Sequence, residues 1–272
     1  MKIVYSQDCL GFSRKGHPES PERVEEAAEF LRDKGYEFIK PEKCSEEDLL
    51  RVHSRELVEK VRNGSFVSMD CPEYDGIYDY ARLSAGGAIR AAEVEGFSLM
   101  RPPGHHATRN SVGGFCYFNS IAVAVRKLGR KTLIVDIDRH HGNGTQDIFL
   151  GSGRVEYVSL HGTGYPGTGV RSVKNCHNHL FREHTGEDEY MKILDRLLNL
   201  DQSFDLLAVS AGFDTYKEDS LGSKIHLTTK SYRSLGQRLS ELDIPTFFVL
   251  EGGYVPEKLG ENIDSLVSGF ES

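Results

Sequence analysis

The run TLIVDIDRHHGNG at positions 132–144 constrains this 272-residue chain more than any other stretch. It opens on Leu133-Ile134-Val135, with no polar side chain on either face of an extended segment. A strand of that kind is buried on both sides, which calls for a parallel sheet with helices covering both faces. Within one residue the run turns into Asp136, Asp138, His140 and His141. If the chain stays extended there, Asp136, Asp138 and His140 share one face. Two carboxylates and an imidazole converging at the end of a buried strand need a counter-charge, because burying bare charge is costly. A divalent metal supplies it; the alternative is a set of solvated loop charges.

The rest of the chain fits this frame. The pattern predicts a first strand at 2–5 and a helix begun by Ser20-Pro21, with Val24, Ala27, Ala28 and Leu31 at helical spacing and an end at Gly35. Ser45 caps a short helix, and Leu57, Val58 and Val61 mark another that stops at Asn63-Gly64. A long helix is expected over 74–95, its Gly86-Gly87 allowing close approach to a neighbour. Strands at 97–100, 132–136, 155–160, 206–210 and 246–250 alternate with helices at 119–128, around 190–198, at 229–242 and from 259 on. With no linker, repeat or low-complexity segment, one α/β domain over 1–272 is expected.

Four unusual segments each follow directly on one of these strands: His105-His106, 136–141, Asp214 and Tyr254. In a parallel sheet those ends lie on one edge, where α/β proteins bind ligands. Asp138, His140 and Asp214 make three ligands with a fourth position open for water. His106 and His105 are candidates for proton transfer. Tyr254, after Gly252-Gly253, is a candidate donor to an oxyanion. Together these parts suit metal-assisted hydrolysis of an amide.

Other features bound the reading. A formal net charge of −8 argues against nucleic acid and weakly favours cationic substrates. Five scattered cysteines without a CxxC pair fit a reducing compartment, and the chain reads as cytoplasmic, without signal peptide or membrane span. The glycines of 161–169 are not followed by the Gly-Lys-Ser/Thr of a phosphate loop. Cys176-His177-Asn178-His179 looks like a second metal cluster but lacks partners at zinc spacing.

The segments HPESPERV, RPPGHHA, GFCYFN, VDIDRHHGNGTQ, SLHGTGYPGTG, SAGFDTYKEDSLG and LEGGY together resemble the histone deacetylase superfamily, and most closely its class II, bacterial and archaeal members. The resemblance covers nearly the whole chain. It implies an arginase/deacetylase-type α/β fold and a zinc site of Asp138, His140 and Asp214, with Fe²⁺ as the other candidate ion. It implies His106 as general base and acid with Asn143 as its partner, His105 supported by Asp136, and Tyr254 on the substrate carbonyl. Gly114, Phe115 and Tyr165 would line a narrow tunnel, Asp70 would hold the substrate backbone at the rim, and Leu221 would stand where polyamine-specialised members carry a glutamate. A K⁺ ion would use Asp136, Asp138, His140, Ser159 and Leu160. Arg139 departs from the pattern, which has an apolar residue there. The implied activity is deacetylation of acyl-lysine in proteins; the rivals are an acetylpolyamine amidohydrolase, an arginase-type ureohydrolase, and an inactive acyl-lysine-binding protein.

Overall fold

The computed structural model describes residues 1–182, 184–200, 203–221 and 224–272. Gly222, in the SAGFDTYKEDSLG segment, lies outside the described residues. The 132–144 run does begin as a fully buried strand, β4 (Thr132–Asp136), and a sheet is built on both sides of it. The other strands are β1 (Ile3–Val4), β2 (Phe38–Ile39), β3 (Phe97–Ser98), β5 (Val155–Gly162), β6 (Cys176–Phe181), β7 (Leu206–Ala211) and β8 (Thr246–Leu250). Every pairing among them is parallel, in the order β2-β1-β3-β8-β7-β4-β5-β6. The helices are α1 (Pro21–Asp33), α2 (Glu46–Leu50), α3 (Arg55–Arg62), α4 (Ile77–Val94), α5 (Ser120–Leu128), α6 (Asn143–Phe149), α7 (Glu187–Leu198), α8 (Thr229–Ser240) and α9 (Pro256–Phe270).

Side chains alternate across the sheet into two apolar cores, as period-two strands buried on both faces must. Leu133 and Val135 of β4, with Leu207 and Val209 of β7 and Phe248 and Leu250 of β8, face a core shared with α1, α7, α8 and α9. Ile134, Ala208, Phe247 and Val249 face the opposite core, shared with α3, α4 and α5. Gly86 and Gly87 explain how α4 sits so close to the sheet. A Cβ on Gly86 would overlap the Glu42 carbonyl oxygen, and one on Gly87 would stand 2.5 Å from Met100 Cγ.

Several elements differ from the sequence pattern. The long helix starts at Ile77, because Gly76 takes a left-handed conformation (φ 74°) that ends the preceding turn. The strand expected at 155–160 continues through His161 and Gly162, drawing two residues out of the glycine-rich loop. Helix α6 and strands β2 and β6 were not expected. β6 is an edge strand, so its solvent side can carry polar side chains, and Cys176-His177-Asn178-His179 shows no apolar run. Its residues form no metal site: Cys176 is buried, His177 Nε2 lies 2.7 Å from Glu156, and His179 Nδ1 lies 3.2 Å from Arg196. Among the described residues no helix is long and apolar enough to cross a membrane.

Candidate active site

The four strands that precede the unusual segments are consecutive in the sheet, in the order β3-β8-β7-β4. His105-His106, Tyr254, Asp214 and Asp138-His140 therefore leave neighbouring strand ends and meet at one edge. The strand itself ends at Asp136. Asp136 Oδ1 accepts the Asp138 N–H (3.1 Å) and Asp138 Oδ1 accepts the His140 N–H (2.8 Å), so successive side-chain turns curl the backbone as soon as the strand ends. His140 reaches both Asp138 and Asp214, and His105 lies 3.1 Å from Asp136 and 3.8 Å from Asp138.

Asp138, His140 and Asp214 form the one group among the described residues able to hold a metal ion, with ligand atoms all within 4.8 Å. His140 Nδ1 lies 3.1 Å from Asp138 Oδ1 and 2.8 Å from Asp214 Oδ2. Each carboxylate is fixed by a backbone amide through its other oxygen: Gly252 N–H donates to Asp138 Oδ2 and Arg139 N–H to Asp214 Oδ1, both at 2.8 Å. Asp214 Oδ2 is buried and makes no hydrogen bond despite its proximity to His140. A buried carboxylate oxygen set against only an imidazole that is itself a ligand candidate fits a cation. Burial and the neighbouring Asp138 charge raise the Asp214 pKa, whereas Asp138, despite burial, is held well below the usual range by the His105 and His140 charges.

The two adjacent histidines are driven in opposite directions. Their rings lie 4.0 Å apart. His105 Nδ1 donates to Asp136 Oδ2 (3.1 Å), which also accepts the Tyr157 hydroxyl (2.8 Å). Burial disfavours charge on His105, but Asp138, Asp136 and Glu251 outweigh it and raise the pKa to about 10. His106 is pushed well below its ordinary value by burial and by the charges of His105 and His140. Its Nδ1 is 2.7 Å from Asn143 Oδ1, a carbonyl that can only accept, so Nδ1 carries the proton and Nε2 keeps its lone pair. The surroundings thus favour the protonated form of one imidazole and the neutral form of the other, which is a division of labour suited to proton transfer.

Gly114, Phe115 and Tyr165, expected to line the tunnel, line one cavity of ≈ 290 Å³ together with Asp70 and Leu221. His105, His106, His140, Tyr254 and Arg139 line it too. Phe115 meets Tyr254 edge to face at 6.0 Å, and Tyr165 meets His106 at 5.0 Å. Gly114 and Phe115 both have positive φ (56° and 66°), an uncommon conformation for phenylalanine that concentrates strain at the cavity wall. Asp70 is not free at the rim: it accepts from Ser68 Oγ (2.6 Å) and from the Gly114 N–H (3.0 Å), so it holds the wall in place. Two clefts of ≈ 700 Å³ elsewhere contain no histidine. A Cβ on Gly114 would overlap the His106 ring. Gly114→Ala is therefore expected to displace that base and lower kcat by on the order of 10²-fold. Steady-state kinetics beside a melting curve check this; unchanged kcat would show that the ring has room to yield.

Three supports were not singled out from the sequence. Glu251 is fully buried, accepts the N–H groups of Gly104 (2.7 Å) and His105 (3.1 Å), and has its pKa raised to about 7, chiefly by burial. Asp219 accepts the Tyr254 N–H (2.6 Å) and the Leu221 N–H (2.9 Å). Arg23 is buried, donates to the carbonyls of Gly253 (2.5 Å) and Glu251 (2.7 Å), and lies 4.6 Å over the Tyr254 ring. Glu19 joins it to Arg101 in a buried cluster. Glu251, Asp219, Arg23, Glu19 and Arg101 are charged residues within otherwise recognisable segments, and their pairing is visible only in three dimensions.

Residues 17–270 match the histone deacetylase domain family. The chain belongs to the histone deacetylase superfamily. As a member, it is a hydrolase acting on amide bonds. It is 34% identical to a probable deacetylase of Methanothermobacter thermautotrophicus, over 100% of this chain and 91% of that protein. It is 36% identical to acetylpolyamine amidohydrolase 1 of Pseudomonas aeruginosa, over 73% of this chain and 62% of that protein. The crystal structure of the HDA15 HD domain matches with a TM-score of 0.90 at 30% identity, covering 99% of this chain and 91% of that one. The superfamily's arginase/deacetylase-type fold is the fold described above.

Proposed function

We propose that this superfamily member is a zinc-dependent deacetylase that removes acetyl or similar acyl groups from amines, with acetyl-lysine in proteins as substrate. The observation that carries the reading is the convergence of the Asp138, His140 and Asp214 ligand atoms within 4.8 Å of one another, with His140 lining the same cavity as His106 and Tyr254. Asp138, His140 and Asp214 would hold the ion, which when bound supplies Lewis acidity to a carbonyl oxygen and acidity to water. His106 Nε2 takes the proton from the attacking water and returns it to the departing amine nitrogen. Asn143 keeps that lone pair on Nε2 by accepting from Nδ1. Tyr254 donates its hydroxyl to the developing oxyanion; burial holds its pKa well above the ordinary value, so the donor keeps its proton. Asp138, Asp136 and Glu251 favour a positive charge on His105 alongside.

Fe²⁺ can replace zinc in the same donor set. The K⁺ reading is supported by register: Asp136 lies opposite Ser159 across β4 and β5, next to Leu160, Asp138 and His140. All five cysteines are buried free thiols, which supports a cytoplasmic setting. Acetylpolyamine hydrolysis is the second reading, supported by the similarity to the Pseudomonas enzyme and by the net charge of −8.

A fluorogenic acetyl-lysine peptide, assayed with and without chelator and after zinc is restored, tests the main reading. Turnover that survives chelation, or none with metal present, overturns it. The neutral Asn143 adds a pH prediction. Asn143→Asp places a carboxylate on His106 Nδ1, which favours the protonated ring and raises its pKa. The base form is then lost at higher pH, so the acid limb of the kcat/KM profile moves upward, by about a unit for one partly screened charge. A limb that stays in place would show that His106 is not the titrating base.

A further inference from the structure

We propose that Arg139 makes the tunnel selective for acylated amines whose amine portion carries a carboxylate, and selective against polyammonium amines. The inference rests on the hydrolase reading for its reaction, addition of water across the amide C–N bond to give a carboxylic acid and an amine. Its own basis is the charge lining the cavity.

Arg139 follows a metal-ligand candidate directly, yet its side chain lines the same cavity as His106 and Tyr254. Nη1 donates to the Leu221 carbonyl oxygen, which anchors the guanidinium at the wall. The same nitrogen lies 3.3 Å from His140 Nε2. When His140 Nδ1 serves as a ligand, Nε2 carries a proton, and two donors then face each other without a hydrogen bond. Arg139 Nε is buried and has no partner. Among the described residues no Asp or Glu side chain pairs with this guanidinium, although Arg is always charged.

The nearby carboxylates are, by contrast, already engaged. Asp70 accepts from Ser68 and Gly114, and Asp219 from the Tyr254 and Leu221 amides. Leu221 contributes no charge of its own. Asp70 and Asp219 keep their charge but spend their acceptor oxygens on protein donors, whereas Arg139 has N–H donors without an anionic partner; their natural complement is a carboxylate, which a guanidinium binds through paired hydrogen bonds. The chain's overall negative charge draws cations only from a distance, and that field is screened beyond roughly 10 Å. At contact range Arg139 repels an ammonium that the outer surface would attract.

The test uses two amides of similar length and opposite tail charge, 4-acetamidobutyrate and N-acetylputrescine, on the zinc-loaded protein. Wild type is expected to show at least about tenfold higher kcat/KM for the carboxylate. Arg139→Gln should reduce that ratio by a similar factor, mainly by raising KM for the carboxylate, and Arg139→Lys should recover part of it. Using the ratio cancels any effect of the substitution on the metal site that both substrates share. A preference of wild type for acetylputrescine, or a ratio unchanged in Arg139→Gln, overturns the proposal. A fluorogenic acetyl-lysine peptide in the same preparation separates this failure from failure of the hydrolase reading. If no amide is cleaved, calorimetric binding of the two compounds decides: tighter binding of the carboxylate, lost in Arg139→Gln, supports the assignment, and equal binding overturns it.

Discussion

Asp214→Ala is expected to abolish bound metal and deacetylase activity together while leaving the metal-free protein folded. The substitution removes one of three ligand candidates, so the loss of affinity should exceed the roughly 10- to 100-fold that follows from losing a mere supporting partner. The substitution leaves the Arg139 N–H without its acceptor, but it also removes a buried carboxylate whose repulsion of Asp138 is a cost in the metal-free state. The readout that separates a ligand from a structural residue is thermal. Zinc at about 1,000 times its Kd should stabilise wild type by roughly 4 kcal/mol and leave Asp214→Ala unmoved. Burial lowers the His140 pKa, but Asp214 and Asp138 outweigh it and raise it to about 9. Loading near neutral pH therefore displaces a proton, and zinc affinity falls as the pH is lowered. Stoichiometric metal and normal turnover in Asp214→Ala would remove it from the ligand set.

Tyr254→Phe is expected to keep fold and metal but lose on the order of 10²- to 10³-fold in kcat, the cost of one oxyanion donor. The ring has supports that phenylalanine retains: the Arg23 guanidinium over its face, Phe115 at its edge, and the Asp219 bond to its backbone N–H. Only the hydroxyl is lost, so the deficit should appear in kcat with little change in KM. A rise in KM alone would make Tyr254 a residue that binds substrate without favouring the transition state. Arg23 carries a related role at one remove, because it fixes the Glu251–Gly253 carbonyls of the turn that presents Tyr254.

Much of the site could be read from local pattern because its parts sit at strand ends. An apolar run that stops at Asp136, Ala211 or Leu250 marks a strand terminus, and the polar residue beyond it is placed by the parallel sheet alone. The parts that escaped are of two kinds. Edge strand β6 and helix α6 lack the apolar periodicity that signals an element, since their stability comes from what they lie against. Glu251 and Asp219 look like ordinary surface acids in the sequence; burial and backbone donors from distant segments make them structural.

The sequence by itself determined the doubly covered parallel sheet, the identity of the metal-ligand and proton-transfer candidates, and the superfamily, because each is written in contiguous residues. The tertiary structure alone decided three things. It made β3, β8, β7 and β4 consecutive, which brings together segments more than 100 residues apart. It set Asp138 between His105 and His140, with Asp136 on the far side of His105, because side-chain turns curl the chain once ladder hydrogen bonds end. And it set Arg139 in the cavity wall, held by the Leu221 carbonyl. A side chain's direction past the end of a strand depends on the partners that reach it from elsewhere, and those partners are not its sequence neighbours.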